Sequence, residues 1–201
     1  MLIVGLTGSL GTGKSTVAAM FKRKGARIID ADRIVHQLIG PRGRCYAPVV
    51  KAFGRRIVCQ GRIDRKELAS LVFQNERALK IVTDIIHPQV SAEIKKKIQE
   101  YRHGAFQGIV VVEVPLLFES GLDRYVDIAM VVTARRRQQI ARASRQLNIS
   151  QEEALRRLRA QMPLKDKIRL ADMIIDNRGT KRQTQKQADG IWLRLLQKRK
   201  K

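Results

Sequence analysis

The sequence lacks the features on which several classes of protein depend. Among 201 residues there are two cysteines, Cys45 and Cys59, which cannot build a disulfide framework and lack the spacing of a metal-binding motif. No apolar run reaches the roughly 18 residues of a membrane span. The amino-terminal apolar run ends at Gly5 and has no basic segment before it, unlike a signal peptide. We therefore expect a cytoplasmic protein that does not contact a membrane.

Acidic and aromatic residues are also scarce. There are 18 Asp and Glu against 41 Lys and Arg, so the formal net charge is +23. Such a charge suits a polyanion such as nucleic acid, but it suits a uniformly basic surface equally well. Three Tyr, five Phe and one Trp leave few rings for stacking on single-stranded bases, and no helix-turn-helix or zinc signature occurs. We expect no specific nucleic-acid partner.

Short apolar runs alternate with helical patterns, and this alternation predicts a parallel α/β sheet. Five runs predict strands, and they span residues 2–6, 27–29, 109–112, 128–132 and 173–175. The first is a continuous apolar run, as expected for a strand buried on both faces. Residues 36–105 show helical periodicity without a convincing strand, and residues 134–165 are helical and rich in arginine. Capping boxes indicate helix starts at Ser150–Glu153 and Thr180–Gln183. We predict one core that carries a helical insertion.

A glycine-rich stretch after the first predicted strand matches the phosphate-binding pattern G-x-x-x-x-G-K-[ST] at every fixed position. It reads Gly8-Ser9-Leu10-Gly11-Thr12-Gly13-Lys14-Ser15. The glycines let backbone N–H groups point at phosphate oxygens, and the helix that follows adds its positive dipole end. In this pattern the Lys14 ammonium reaches the β- and γ-phosphates and the Ser15 hydroxyl binds Mg²⁺. The sequence therefore predicts a nucleoside-triphosphate site rather than a plain glycine-rich turn.

Three acidic residues follow predicted strands, at the edge where open α/β sheets bind ligands. Asp30 and Asp32 come after the second strand. A carboxylate there can orient an acceptor hydroxyl and take its proton, but Asp is also common in turns and helix caps. Glu113 ends the third strand, where an acid reaches the metal through water or pairs with arginines. The residues alone leave these alternatives open.

One helical region is dense in arginine and has no acid between residues 134 and 151. Its arginines are Arg135, Arg136, Arg137, Arg142, Arg145, Arg156, Arg157 and Arg159. A helix of this kind can close over transferring phosphates and stabilise their charge, although most of its arginines must face solvent. Arg142 and Arg145 lie on adjacent turns, and we expect one or both to serve the site.

Six segments occur in order along the chain. They are Gly5–Thr16, Ile29–Asp32, Gly61–Arg65, His87–Pro88, Val114–Glu119 and Leu170–Asn177. Together they closely resemble the dephospho-coenzyme A kinase family, from residue 2 to about residue 196 without large gaps. The phosphate loop alone is shared with many kinases, whereas its combination with the other segments is far more specific.

The resemblance implies ATP-dependent phosphorylation of the ribose 3′-hydroxyl of dephospho-CoA, the last step of coenzyme A synthesis. It implies a P-loop kinase fold whose parts are a core of residues 1–35, 106–133 and 166–196, a helical CoA domain of about 36–105, a helical lid of about 134–165, and a basic tail, 197–201. ATP and dephospho-CoA are the expected partners and Mg²⁺ the expected metal ion. We expect a monomer, or at most weak self-association.

Individual residues match the motifs of the family. Asp32 matches its proposed catalytic base, and Arg142, with Arg145 less closely, matches the lid arginines near ATP. The family usually has a second glycine where Ser9 stands and an acid where Gln146 stands. Ser9 is small enough to leave the phosphates unobstructed, whereas Gln146 deprives Arg145 of its usual acidic neighbour.

Other positions extend the match to both substrates. Gly11 to Thr16 match the ATP-binding loop, Glu113 matches an acidic position near the metal, and His87 and Pro88 fall in the acceptor-binding region. Two other functions are alternatives to phosphorylation of dephospho-CoA. The first is phosphorylation of a nucleoside or nucleotide. The second, which the motifs favour less, is a P-loop ATPase stimulated by nucleic acid.

Overall fold

The computed structural model describes residues 1–199, so Lys200 and Lys201 of the predicted basic tail lie outside the described residues. The described residues form two compact units, one made of residues 1–30 and 97–199, and the other of Ala31–Lys96. In chain order the elements are β1 Leu2–Thr7, α1 Lys14–Arg23, β2 Arg27–Asp30, α2 Ala31–Leu38, α3 Tyr46–Phe53, β3 Val58–Cys59, β4 Arg62–Ile63, α4 Arg65–Gln74, α5 Glu76–His103, β5 Ile109–Glu113, β6 Ile128–Thr133, α6 Arg136–Leu147, α7 Gln151–Arg159, α8 Leu164–Arg169, β7 Met173–Asp176 and α9 Lys181–Arg199.

Five parallel strands form the sheet of the first unit, in the order β2-β5-β1-β6-β7. The five predicted strands are confirmed, and each continues one residue further at its carboxyl end than its apolar run. The added residues are polar: Thr7, Asp30, Glu113, Thr133 and Asp176. The hydrophobic pattern misses them because they line the edge of the sheet rather than its core.

Helices α1 and α9 pack together against one face of the sheet. Phe21 of α1 is fully buried and stacks on Trp192 of α9, with 6.1 Å between ring centroids. Ile191 and Leu195 of α9 recur at helical spacing and are buried in the same core. This packing holds the start of α1 at the carboxyl end of β1, where the phosphate loop lies.

The unit Ala31–Lys96 is mostly helical, as predicted, but it also contains a short hairpin that the sequence did not reveal. Strands β3 and β4 pair antiparallel through a two-residue turn at Gln60 and Gly61, both with positive φ (49° and 73°). This turn geometry matches the twist of paired strands. The expectation of no strand in 36–105 was wrong because two-residue strands are too short to show periodicity.

Candidate active site

The phosphate loop leaves β1 after Thr7 and enters α1 at Lys14. Gly11 and Gly13 have φ values of 71° and 92°, which residues other than glycine rarely adopt. A Cβ atom at Gly11 would overlap the backbone of Gln139 in α6, and one at Gly13 would overlap the side-chain amide of Asn177. Glycine is therefore required at both positions by backbone conformation and by close packing from outside the loop.

The Lys14 side chain folds back over the loop. Its Nζ donates hydrogen bonds to the carbonyl oxygens of Gly8 (2.9 Å) and Ser9 (3.2 Å), and the residue is 9% exposed. Thr12 is also buried, and its Oγ1 donates to the carbonyl oxygen of Ser9 at 2.8 Å. The loop thus holds the Lys14 ammonium group where the motif predicts a group that binds phosphate.

Ser15 and Glu113 are brought together from distant positions in the sequence. Glu113 ends β5, which pairs with β1 so that Glu113 lies opposite Leu6. The Ser15 Oγ donates a hydrogen bond to Glu113 Oε1 at 2.7 Å, and the glutamate is 7% exposed. The two residues that the sequence assigned to a metal ion therefore lie next to each other.

This pair suits Mg²⁺ in its chemistry. A hydroxyl and a carboxylate are hard oxygen donors, and Mg²⁺ is usually held by one or two protein oxygens together with phosphates and water. Residues 1–199 contain no cluster of three or more His, Cys, Asp or Glu side chains able to hold an ion. An ion at Ser15 and Glu113 would accordingly take its remaining ligands from the nucleotide and from water.

Asn177 links the loop to the end of the sheet, and in the sequence it is the last residue of the segment Leu170–Asn177 that resembles the family. Its Nδ2 donates to the carbonyl oxygen of Thr12 at 2.8 Å, and Thr184 Oγ1 of α9 donates to its Oδ1 at 2.8 Å. Asn177 is 8% exposed. The position of Asn177 after the last strand and its place in the segment Leu170–Asn177 gave no indication of which groups its amide binds.

Arg142 of the predicted lid lies beside the phosphate loop, whereas Arg145 is exposed to solvent. The Arg142 Nη2 donates to the carbonyl oxygen of Asn177 at 3.2 Å. Its Nη1 is buried and has no hydrogen-bond partner among residues 1–199. This nitrogen lies 4.0 Å from the point that a Cβ atom on Gly13 would occupy. Arg142 therefore has one buried guanidinium nitrogen close to Gly13 of the loop.

Three residues predicted to serve the acceptor, Asp32, His87 and Pro88, belong to the other unit. Asp32 lies in the first turn of α2 and is exposed, and His87 and Pro88 lie inside the long helix α5. Asp30, the alternative base, ends β2 opposite Glu113 in the register of the sheet. The roles of Asp32, His87 and Pro88 toward an acceptor remain predictions.

A parallel sheet with this loop, lysine, serine and acid defines the class of nucleotide-binding P-loop kinases. The family model for dephospho-CoA kinase matches residues 2–183. The chain belongs to the dephospho-CoA kinase family.

Individual relatives agree with this assignment. A dephospho-CoA kinase of Carboxydothermus hydrogenoformans is 41% identical over 197 residues, which cover 98% of this chain and 93% of the relative. One from Symbiobacterium thermophilum is 44% identical over 193 residues, covering 96% and 80% of the two chains. The solved structure of a dephospho-CoA kinase from Campylobacter jejuni superposes with a TM-score of 0.68 at 27% identity, covering 94% of each chain.

No helix within the described residues is long and apolar enough to span a membrane.

Proposed function

We propose that this chain transfers the γ-phosphoryl group of ATP to the ribose 3′-hydroxyl of dephospho-CoA, giving coenzyme A and ADP. The observation that carries the proposal is the phosphate loop with its Ser15–Glu113 pair, in a chain that belongs to this family over nearly its whole length.

The phosphates of ATP bind to backbone N–H groups of Gly11–Thr16 and to the start of α1, whose dipole favours negative charge. Lys14 then exchanges its loop carbonyls for the β- and γ-phosphate oxygens. Ser15 would hold Mg²⁺ directly and Glu113 would hold it through water, and the bound ion would offset negative charge on the phosphates. Arg142, from the predicted lid, offsets charge on the γ-phosphate, and Arg145 binds ATP more peripherally.

Asp32 orients the 3′-hydroxyl and accepts its proton, while His87 and Pro88 contribute to acceptor binding. The bond between the 3′-oxygen and the γ-phosphorus forms as the bond to the bridging oxygen of ADP breaks. The transfer is direct and in line, without a phospho-enzyme. Closure of the predicted lid, 134–165, excludes water, which would otherwise compete as the acceptor.

The function is tested by ADP release from ATP and Mg²⁺, measured with and without dephospho-CoA. We expect release to depend on dephospho-CoA and the product to have the mass of coenzyme A. The same assay with nucleosides and nucleoside monophosphates serves as the comparison. Faster turnover of one of these acceptors, or equal ADP release without any acceptor, would overturn the proposal.

The metal site is tested by replacing Glu113 with Gln, which keeps an oxygen for Ser15 and removes the negative charge. We expect the Mg²⁺ concentration for half-maximal rate to rise about 10- to 100-fold, as when a group that holds a metal through water is changed. The measurement is initial rate against free Mg²⁺ at saturating ATP. Glu100→Gln, at an exposed acid of α5, is the matched control; an unchanged Mg²⁺ dependence in Glu113→Gln would contradict the role.

A further inference from the structure

A fully buried lysine lies outside the residues assigned to ATP. Lys167 of α8 is 0% exposed, and its Nζ donates to the carbonyl oxygen of Pro115 at 2.6 Å and pairs with Glu119 Oε1 at 2.8 Å. Burial lowers the pKa of Lys167, and the hydrogen bond and charge of Glu119 oppose that shift. A buried ion pair is often no more stabilising than apolar side chains of similar volume, so stability alone does not account for it.

The partners of Lys167 reach the strand that leads into the phosphate loop. The carbonyl oxygen of Pro115 also accepts a hydrogen bond from Thr7 Oγ1 at 3.1 Å, and Thr7 is the last residue of β1. Pro115 lies two residues after Glu113, the acid that contacts Ser15. One carbonyl therefore connects the lysine to both segments that carry the proposed metal site.

The same carboxylate holds the end of the arginine-rich segment. Glu119 Oε1 accepts a hydrogen bond from the backbone N–H of Met162 at 3.0 Å. The neighbouring residue, Gln161, uses its side-chain Oε1 to accept from the backbone N–H of Leu10 in the phosphate loop, at 3.0 Å. The consecutive residues Gln161 and Met162 are thus hydrogen-bonded to different segments, Gln161 to the phosphate loop and Met162 to the loop after β5.

We propose that Lys167 and Glu119 form the anchor that positions the carboxyl-terminal end of segment 134–165 over the phosphate loop. Neither residue touches a substrate, and both are positioning residues. The anchor keeps Gln161 on Leu10, and through the rest of the segment it keeps Arg142 beside Gly13. This inference rests on the proposed function, because the segment acts on ATP as it reacts.

The first test is Lys167→Met in the full chain, which keeps most of the length of the side chain and removes its charge and donors. We expect kcat to fall about 10²-fold, as for a displacement of about 1 Å at reacting groups, with little change in the KM for dephospho-CoA. Hydrogen exchange is measured in parallel, and we expect residues 134–165 to lose the protection that ATP confers on the unmodified chain. Unchanged kcat and unchanged protection, with only a lower Tm, would overturn the proposal.

A second pair of variants decides the matter if Lys167→Met does not fold. Glu119 is 21% exposed and tolerates change better than the buried lysine. Glu119→Ala removes the acceptor of both Lys167 and Met162, and we expect the same loss of kcat and of protection. Glu119→Gln keeps an oxygen in that place and should restore most of both. Equal kcat in Glu119→Ala and the unmodified chain would overturn the anchor.

The control is Lys24→Met, which breaks an ion pair of 2.6 Å with Asp189 in the same unit. Both of these residues are partly exposed, so we expect kcat within about twofold of the unmodified chain. A failure of the proposed function is seen separately, as absence of dephospho-CoA-dependent ADP release from the unmodified chain. Hydrogen exchange with ATP alone then still tests the anchor, since ATP-induced protection needs no acceptor.

Discussion

Replacing Asp32 with Asn is expected to lower kcat by about 10²- to 10⁴-fold, the range for loss of a general base. The amide keeps the size of the carboxylate but cannot accept the proton of the 3′-hydroxyl. Because Asp32 is not assigned to ATP, the affinity for ATP should stay nearly intact. The measurement is steady-state kinetics with dephospho-CoA, together with ATP titration by calorimetry.

Asp84→Asn is the matched control for this variant. Asp84 is an exposed acid of the same unit and forms an ion pair with Lys80 one helical turn away, at 2.7 Å. The substitution is chemically identical and should leave kcat unchanged within about twofold, since exposed pairs of this kind contribute little. Near-normal turnover in Asp32→Asn would remove Asp32 from the mechanism and direct attention to Asp30, at the end of β2.

Replacing Lys14 with Met is expected to lower kcat about 10²- to 10³-fold, as for the loss of one preorganised charge at a transition state. Methionine keeps the apolar part of the side chain but has no ammonium to leave the loop carbonyls for the phosphates. The KM for ATP should rise as well, because the same group contacts bound ATP. Single-turnover kinetics separate the loss in the chemical step from the loss in binding.

Lys22→Met serves as the control for the lysine substitution. Lys22 lies on the same helix, α1, and is exposed at the far end from the loop. We expect normal kcat and a normal KM for ATP in this variant. If Lys14→Met changed only the KM, Lys14 would bind ATP equally in the ground state and the transition state, and its catalytic role would be wrong.

The sheet was predictable because its central strands are buried on both faces and therefore read as continuous apolar runs. β1 and β5 are buried along their whole length, and their continuous apolar sequences differ from the periodic sequences of the neighbouring helices. The hairpin of β3 and β4 was missed, since its two-residue strands show no period and its turn residue Gln60 is not a typical turn residue. Prediction therefore worked best where burial imposed a long pattern, although the short strands β2 and β7, with one buried residue each, were also found.

The site divides in a similar way. The phosphate loop was predictable because its residues are contiguous and the chemistry needs glycines, a lysine and a hydroxyl at set spacing. Glu113 was predictable as a residue at the end of a buried strand, and the register of β5 on β1 brings it to Ser15. The contacts of Asn177 and Lys167 were not, because neither an amide after a strand nor a lysine on a short helix shows in the sequence which groups it will bind.

The sequence by itself determined the class of fold, the phosphate loop and the family, since all three depend on local patterns and contiguous motifs. The tertiary structure decided which distant groups meet. It pairs Ser15 with Glu113, places Arg142 rather than Arg145 beside the loop, and buries Lys167 against Glu119. These contacts depend on strand order and on helix packing. Neither can be predicted from the spacing of residues along one chain.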